Sequence, residues 1–321
     1  MKKEFTTRIN LDVNLNIISK LACKEYSLGT FISNSVLYFG YGDFNYKLHS
    51  SKGTYVVKVI NKEYTDAQCN DIVCRYVAAY DYNVNCPKIY KTSNGNSLLV
   101  VRPKNTRYRL FVMQYLPYKN LYKLNYSMSL HDFELIGEQL ALINKIDYNP
   151  TPIYDSWAIQ SLTKEYSKFD KSQIKDSRIK TIINSVLQQL KQIDYSKLPN
   201  AFIHGDVVDM NVLKTHNTFY IVDFSSANYQ IRICDLATTI ADMCYQKSPY
   251  KDNIDALIKG YSKHIKLQQY ELQTLPLFVK CAAIIGYLNC IREQTTNGGQ
   301  YNKQLLQKYT KIILLGETNE K

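Results

Sequence analysis

The chain has 321 residues, 45% of them hydrophobic and 21% charged, enough for one large domain or two lobes with a real core, and too apolar for a disordered chain. Its net charge of +12 is spread without a basic tail or compact run, so a nucleic-acid partner is not expected, and the charge suits attraction of a polyanionic small molecule. Eight cysteines without a CxxC pair and five histidines without zinc-ligand spacing argue against a metal knuckle and for a reducing, cytoplasmic location.

The first residues, Met1-Lys2-Lys3-Glu4-Phe5, carry a basic pair with no apolar run behind it, unlike a secretory leader. Residues 31–49 alternate aromatic and polar side chains around Gly40 and Gly42, and residues 54–60, rich in β-branched types, follow a Lys52-Gly53 turn. Both predict strands. Ile72, Val73, Tyr76, Val77 and Tyr80 recur at three and four and predict a helix over 66–82. Two more apolar runs, 97–101 and 110–116, read as strands. Beyond Pro117 the pattern becomes helical. Ser129-Leu130-His131-Asp132 is a capping-box start, with Phe133, Ile136, Leu140 and Ile143 on one face. Ile179, Ile182, Ile183, Val186, Leu187, Leu190 and Ile193 mark another amphipathic helix. A short strand pair brackets 202–223, and helices run from about 235 to the end. The longest apolar stretch, 281–291, falls well short of the ~20 residues of a membrane span and reads as a buried helix; no membrane partner is expected. The expected architecture is α+β: an antiparallel-sheet N-terminal lobe (1–117) and a mostly helical C-terminal lobe (118–321), with ligand bound in the cleft between lobes.

Residues 202–224 carry the chemistry. They read His204-x-Asp206-x4-Asn211, then a hairpin, then a strand ending in Asp223-Phe224. Three polar groups set in apolar segments must each face a cleft, a metal or a donor, because burying a carboxylate alone is costly. Phosphoryl transfer needs this set: an acid to accept the hydroxyl proton, and an amide oxygen and a second carboxylate to hold Mg²⁺, which prefers hard oxygen ligands. The order and spacing match the catalytic loop and metal-binding Asp-Phe-Gly of kinases, with Ser225 in place of the glycine.

The chain thus resembles the superfamily of aminoglycoside phosphotransferases, choline kinases and type II homoserine kinases, small-molecule kinases with a protein-kinase-like two-lobe fold. The resemblance covers most of the chain and is firmest from His204 to Asp223 and at Ile233-Cys234-Asp235-Leu236-Ala237. It implies that Asp206 is the catalytic base, that Asn211 and Asp223 bind Mg²⁺, and that His204 and Asp235 brace the loop. Upstream, Val56-Val57-Lys58-Val59 resembles the strand whose lysine meets the ATP phosphates. Tyr41-Gly42-Asp43-Phe44-Asn45-Tyr46 resembles the turn over the nucleotide, with Asn45 at a family-typical position. Val112-Met113-Gln114-Tyr115-Leu116-Pro117 resembles the hinge, where backbone groups of Gln114 and Leu116 would meet adenine. No GxxxxGK[ST] loop is present. The chain departs from the family in having Tyr118 after the hinge proline, Asn144 where a histidine often ends the next helix, and no Glu in 66–80 to pair with Lys58. Asp66, Asp71 or Glu63 is the expected substitute.

The run Asp223-Phe224-x-x-Ala227, Asp235-Leu236-Ala237 and Asp242-x-Cys244 looks closest to type II homoserine kinases. The expected activity is ATP-dependent phosphorylation of a hydroxyl on a small metabolite, homoserine or a similar amino alcohol first. An aminoglycoside or choline/ethanolamine is the alternative acceptor, and a non-catalytic nucleotide-binding protein the alternative class. Arg292, then Arg232, is the expected cation for an acceptor carboxylate, and Trp157, Tyr245, Tyr261 and Tyr287 could cage a quaternary ammonium. A monomer or homodimer is expected.

Overall fold

The computed structural model describes residues 14–37, 43–246, 250–297 and 300–315. The turn residues Tyr41 and Gly42 lie outside them. The chain divides into two compact units, Met1–Tyr118 and Lys119–Lys321.

The first unit is built on one antiparallel sheet of order β1-β2-β3-β5-β4, with β1 at Phe31–Leu37, β2 at Phe44–Ser50, β3 at Gly53–Val59, β4 at Leu99–Val101 and β5 at Tyr108–Gln114. Strand alternation sorts the side chains. Phe44, Tyr46 and Leu48 on β2 face Val59, Val57 and Tyr55 on β3 across the ladder, and all are buried in one core. Helix α1 (Leu15–Glu25) contributes Leu15, Ile18, Ala22 and Cys23 to this core. Its stripe at three and four is present in the sequence, yet no helix had been expected ahead of the first strands. The other face of the sheet carries Asn45, Lys58 and Phe111, which are register partners across β2, β3 and β5. Helix α2 (Asp66–Asp81) begins at a capping box of Thr65 and Gln68 and places the Tyr76 ring 5.1 Å from that of Phe111.

The second unit is helical apart from four short strands. Helices α3 (Leu121–Leu124) and α4 (Leu130–Asn144) come first, with Ser129 and Asp132 forming the expected capping box on α4. Helices α5 (Leu162–Lys168) and α6 (Ser177–Leu190) follow. Strands β6 (Asn200–Ile203) and β9 (Asn228–Ile231) pair antiparallel around a tight hairpin of β7 (Val212–Lys214) and β8 (Phe219–Ile221). Helices α7 (Ile233–Met243), α8 (Tyr250–Ser262), α9 (Gln269–Asn297) and α10 (Gln300–Leu314) complete the unit. Helices α4 and α8 cross closely because Gly260 lies against the Glu134 carbonyl; a Cβ there would sit 1.9 Å from that oxygen. The stretch around residues 281–291 belongs to a much longer helix than expected, since α9 runs through Pro276 and Lys280. By length and composition Gln269–Glu293 could cross a membrane, but 78% of its apolar window is buried inside the protein, so it is the core helix of this unit.

Candidate active site

Strand β6 delivers the chain into the loop 204–211. Gly205 makes the first turn with φ of +79°, a left-handed conformation that costs a glycine little and a side chain more. Asp206 follows. The Asn211 amide donates to the Asp206 carboxylate Oδ2 at 2.7 Å and to its backbone carbonyl at 3.0 Å. Hairpin β7–β8 then returns the chain so that the Val222 amide donates to the Asn211 carbonyl at 3.0 Å, and Asp223 follows in a left-handed conformation with φ of +73°. Asp tolerates that region better than most residues, and the kink ends the strand and re-aims the carboxylate. The structure thus brings Asp206, Asn211 and Asp223 together, as their spacing predicts.

His204 is fully buried. Its Nε2 lies 3.2 Å from the Val222 carbonyl, and its Nδ1 accepts from the Asp206 amide at 3.2 Å. A carbonyl can only accept and an amide can only donate, so the ring is neutral with its proton on Nε2. It ties the strand before Asp223 to the backbone of Asp206, and packs against the Phe224 ring at 4.6 Å between centroids.

One face of α7 holds this loop from beneath. The Asp235 carboxylate accepts from the amides of His204 at 3.0 Å and Gly205 at 2.7 Å. The Thr239 hydroxyl donates to the Val207 carbonyl at 3.0 Å, and the Asp242 carboxylate accepts from the Asp209 amide at 2.9 Å. Residues 235, 239 and 242 are one and two turns apart on an α-helix. The sequence reading had only Asp235 in this role. Three polar residues at that spacing on one face of a mostly apolar helix were the available signal for the other two. Asn144, the departure from the family's histidine, completes the brace: its amide donates to Asp235 at 2.9 Å and to the Phe202 carbonyl at 3.0 Å, while the Tyr261 hydroxyl donates to its oxygen at 2.8 Å. Burial pushes the Asp235 carboxyl up to about 6 despite these donors.

Asp206 is raised well above the ordinary carboxylate range, first by burial and then by the neighbouring charges of Asp155, Asp223 and Asp242, against which the Asn211 hydrogen bond acts. The loop therefore gathers several acidic groups close together. Among the described residues no three His, Cys, Asp or Glu side chains form a metal cage. The Asn211 amide oxygen and Asp223 carboxylate are hard ligands of the kind that hold Mg²⁺ when phosphate oxygens and waters supply the rest, and the gathering of acidic groups there fits a divalent cation.

In the first unit, Lys58 is buried, and its ammonium lies 3.2 Å from the Asp43 carboxylate and donates to the Tyr76 hydroxyl at 2.9 Å. This corrects the expected partner. Asp71 is held by Arg75 at 2.6 Å, Asp66 pairs with Arg107 and Arg109, and Glu63 is exposed. The helix that would carry a glutamate offers Tyr76 instead, and the acid comes from the residue just before β2. Asn45 is the direct register partner of Lys58. At the end of β5 the Gln114 amide donates to the Lys88 carbonyl at 2.8 Å, which limits that residue's backbone to its carbonyl; Leu116 is buried.

The two expected substrate arginines are committed elsewhere. Arg232 grips the fully buried Glu271 through two bonds, 2.8 and 2.6 Å, a bidentate pair that removes it from the candidate set. Arg292 pairs with Glu165 at 2.8 Å and donates to Asn289 at 3.0 Å. Glu165 in turn accepts from the Tyr154 hydroxyl. Of the aromatic residues Trp157, Tyr245, Tyr261 and Tyr287, two are engaged elsewhere: Tyr261 is bonded to Asn144, and Tyr245 packs on Tyr250.

Comparison with known proteins follows the same line. Residues 39–265 match APH, the phosphotransferase enzyme family. A homoserine kinase from Bradyrhizobium sp. (strain ORS 278) is 23% identical over 268 residues, covering 81% of this chain and 80% of that protein. Two solved structures share the fold: amicoumacin kinase hAmiN in complex with AMP-PNP, Ca²⁺ and Ami (TM-score 0.71, 15% identity, 98% of this chain and 96% of that one), and a microcompartment-associated aminopropanol kinase (TM-score 0.68, 14% identity, 95% and 97%). With 227 of its 321 residues inside the family match, the chain belongs to the APH phosphotransferase enzyme family and is a small-molecule kinase.

Proposed function

We propose that the chain transfers the γ-phosphoryl group of ATP to a hydroxyl of a small metabolite, homoserine or a similar amino alcohol. The observation that carries this reading is the loop 204–223: Asp206 held by Asn211 and returned to Asp223 by a tight hairpin, with the whole loop fixed along one face of α7. Asp206 orients the acceptor hydroxyl and takes its proton as the phosphoryl group moves in line. Asn211 and Asp223 hold Mg²⁺, which when bound neutralises charge on the phosphate oxygens. Lys58, fixed by Asp43 and Tyr76, meets the α- and β-phosphates, with Asn45 beside it on the same sheet face. The Gln114 carbonyl and the Leu116 backbone are the groups for adenine. His204 and Asp235 act on the loop and not on the substrate. The amino-alcohol acceptor draws support from the relative named as a homoserine kinase and from the likeness to an aminopropanol kinase.

The test is coupled ADP release with Mg·ATP against homoserine, aminopropanol, choline, ethanolamine and several aminoglycosides, with Asp206→Asn as control. Turnover on an amino alcohol that falls by about 10³ or more in the control, with nucleotide binding retained, is the expected result. Full activity in the control would overturn the role of Asp206. Turnover confined to aminoglycosides would overturn the acceptor.

A further inference from the structure

The second unit contains a cavity of about 500 Å³, within the size range of small-molecule sites, whose lining includes Tyr154, Asp155, Gln160, Lys164, Gly205 and Ser226. Gly205 precedes Asp206 in the chain, and Ser226 lies three residues past Asp223. The start of the catalytic loop therefore contributes to the cavity's lining, as does the segment between α4 and α5.

Asp155 is the unusual group in that wall. Its Oδ1 accepts the Trp157 amide at 2.8 Å, and its backbone carbonyl accepts the Ser161 hydroxyl at 2.6 Å, so the residue is fixed in place. Among the described residues no lysine, arginine or histidine pairs with its carboxylate. Arg292 is taken by Glu165. Burial raises the Asp155 carboxyl above its ordinary range, and its charge acts on Asp206. A partly desolvated carboxylate without a counter-ion, held rigidly in a cavity wall next to the base, is costly to the fold unless a cation arrives.

Resting on the reading of the site as a kinase of amino alcohols, we infer that this cavity seats the acceptor and that Asp155 binds the acceptor's ammonium group. The ammonium then anchors one end of a short molecule while its hydroxyl reaches Asp206, and the two carboxylates divide the roles of anchor and base. Lys164 lines the same cavity with its ammonium 4.1 Å from the centroid of the Tyr154 ring, so an amino alcohol that also bears a carboxylate has a second partner of the right sign. The net charge of +12 hides this local polarity completely.

Trp157 is the single tryptophan of the chain and its amide is bonded to Asp155, which provides a binding signal independent of turnover. The experiment titrates the protein, with Mg·AMP-PNP present, against 3-aminopropan-1-ol, homoserine, 4-hydroxybutyrate and propane-1,3-diol while following Trp157 emission. Saturable changes are expected with the two amines and none at equal concentration with the diol or the hydroxy acid. Asp155→Asn should weaken both amines tenfold or more, with its thermal unfolding and its AMP-PNP affinity matching those of the parent. Lys164→Met should weaken homoserine at least threefold and leave 3-aminopropan-1-ol unchanged. Equal binding of the diol and the amines, or amine binding unaltered by Asp155→Asn, overturns the inference, as does the absence of any signal with the amines. Amine binding through Asp155 without phosphoryl transfer would support the subsite and overturn the proposed acceptor hydroxyl instead.

Discussion

Replacing Asn144 by Asp tests whether the brace beneath the catalytic loop works as described. The two residues share shape, so packing is preserved and only the donor is lost. In the parent, the Asn144 amide makes a 3.0 Å bond to a neutral carbonyl and a 2.9 Å bond to the buried Asp235 carboxylate. The first is worth about 1 kcal/mol and the second, to a charged group, roughly 1.5–3 kcal/mol. Their loss amounts to roughly 2.5–4 kcal/mol before any repulsion between two carboxylates at that spacing, against a typical total stability of about 5–15 kcal/mol. N144D should therefore be destabilised by at least about 2.5 kcal/mol at pH 8 in urea denaturation. The penalty should shrink toward pH 5, where the new carboxyl is protonated and can donate to Asp235 again. N144A should be destabilised by a similar amount at pH 8 and recover much less on acidification, since it has nothing to protonate. A loss below about 1 kcal/mol in N144D at pH 8, or a loss that does not change with pH, would refute the brace.

Three further outcomes follow from the same geometry. The folded-state Asp235 carboxyl is raised from 3.8 to about 6, so its contribution to stability is complete below pH 3.8 and is lost as pH rises through about 6. That displacement corresponds to roughly 3 kcal/mol, and urea denaturation from pH 4 to 7 should show a flatter profile for Asp235→Asn than for the parent; parallel profiles would contradict it. Lys308 closes on the buried Asp242 at 2.5 Å, and Lys308→Met should cost about 3 kcal/mol by leaving that carboxylate without its cation, with the double variant K308M/D242N less impaired than K308M alone. Asp43→Asn should lower kcat/KM for ATP by about tenfold or more by removing the acid at the buried Lys58, and Tyr76→Phe should act more weakly, by less than about threefold. Equal effects of the two would place the positioning of Lys58 on Tyr76 of the helix as much as on Asp43 and refute the acid's leading role.

The catalytic loop was legible because its signal is local. Asp206, Asn211 and Asp223 lie within eighteen residues, and the bonds that converge them (Asn211 to Asp206, Val222 to Asn211) are made inside that stretch. Strand β2 was legible through alternation and β3 through its β-branched run after the Lys52-Gly53 turn, and the capping box at Ser129 and Asp132 placed the start of α4 to the residue. Helix α1 was missed because a short stripe of Leu15, Ile18 and Ala22 competes with strand-like neighbours in a reading by composition. The partner of Lys58 was misassigned for a different reason. The expectation looked along α2 for an acid, while the sheet register brings β2 beside β3 and so carries Asp43 to the lysine from another element.

By itself the sequence carried the reaction class and singled out Asp206, Asn211 and Asp223 as the candidate base and metal ligands, since these depend on residue type and spacing over a short segment. Tertiary structure alone decided what holds them. Asp235 reaches His204 across 31 positions, and Asn144 reaches Asp235 across 91. It also decided that Arg232 belongs to Glu271 and that, among the described residues, no Lys, Arg or His pairs with Asp155 in its cavity wall. Periodicity tells which face of a helix is buried, but which residue of a distant element arrives there is fixed only when the helices pack, because one hydrogen bond or ion pair demands a separation near 3 Å that no pattern along the chain encodes.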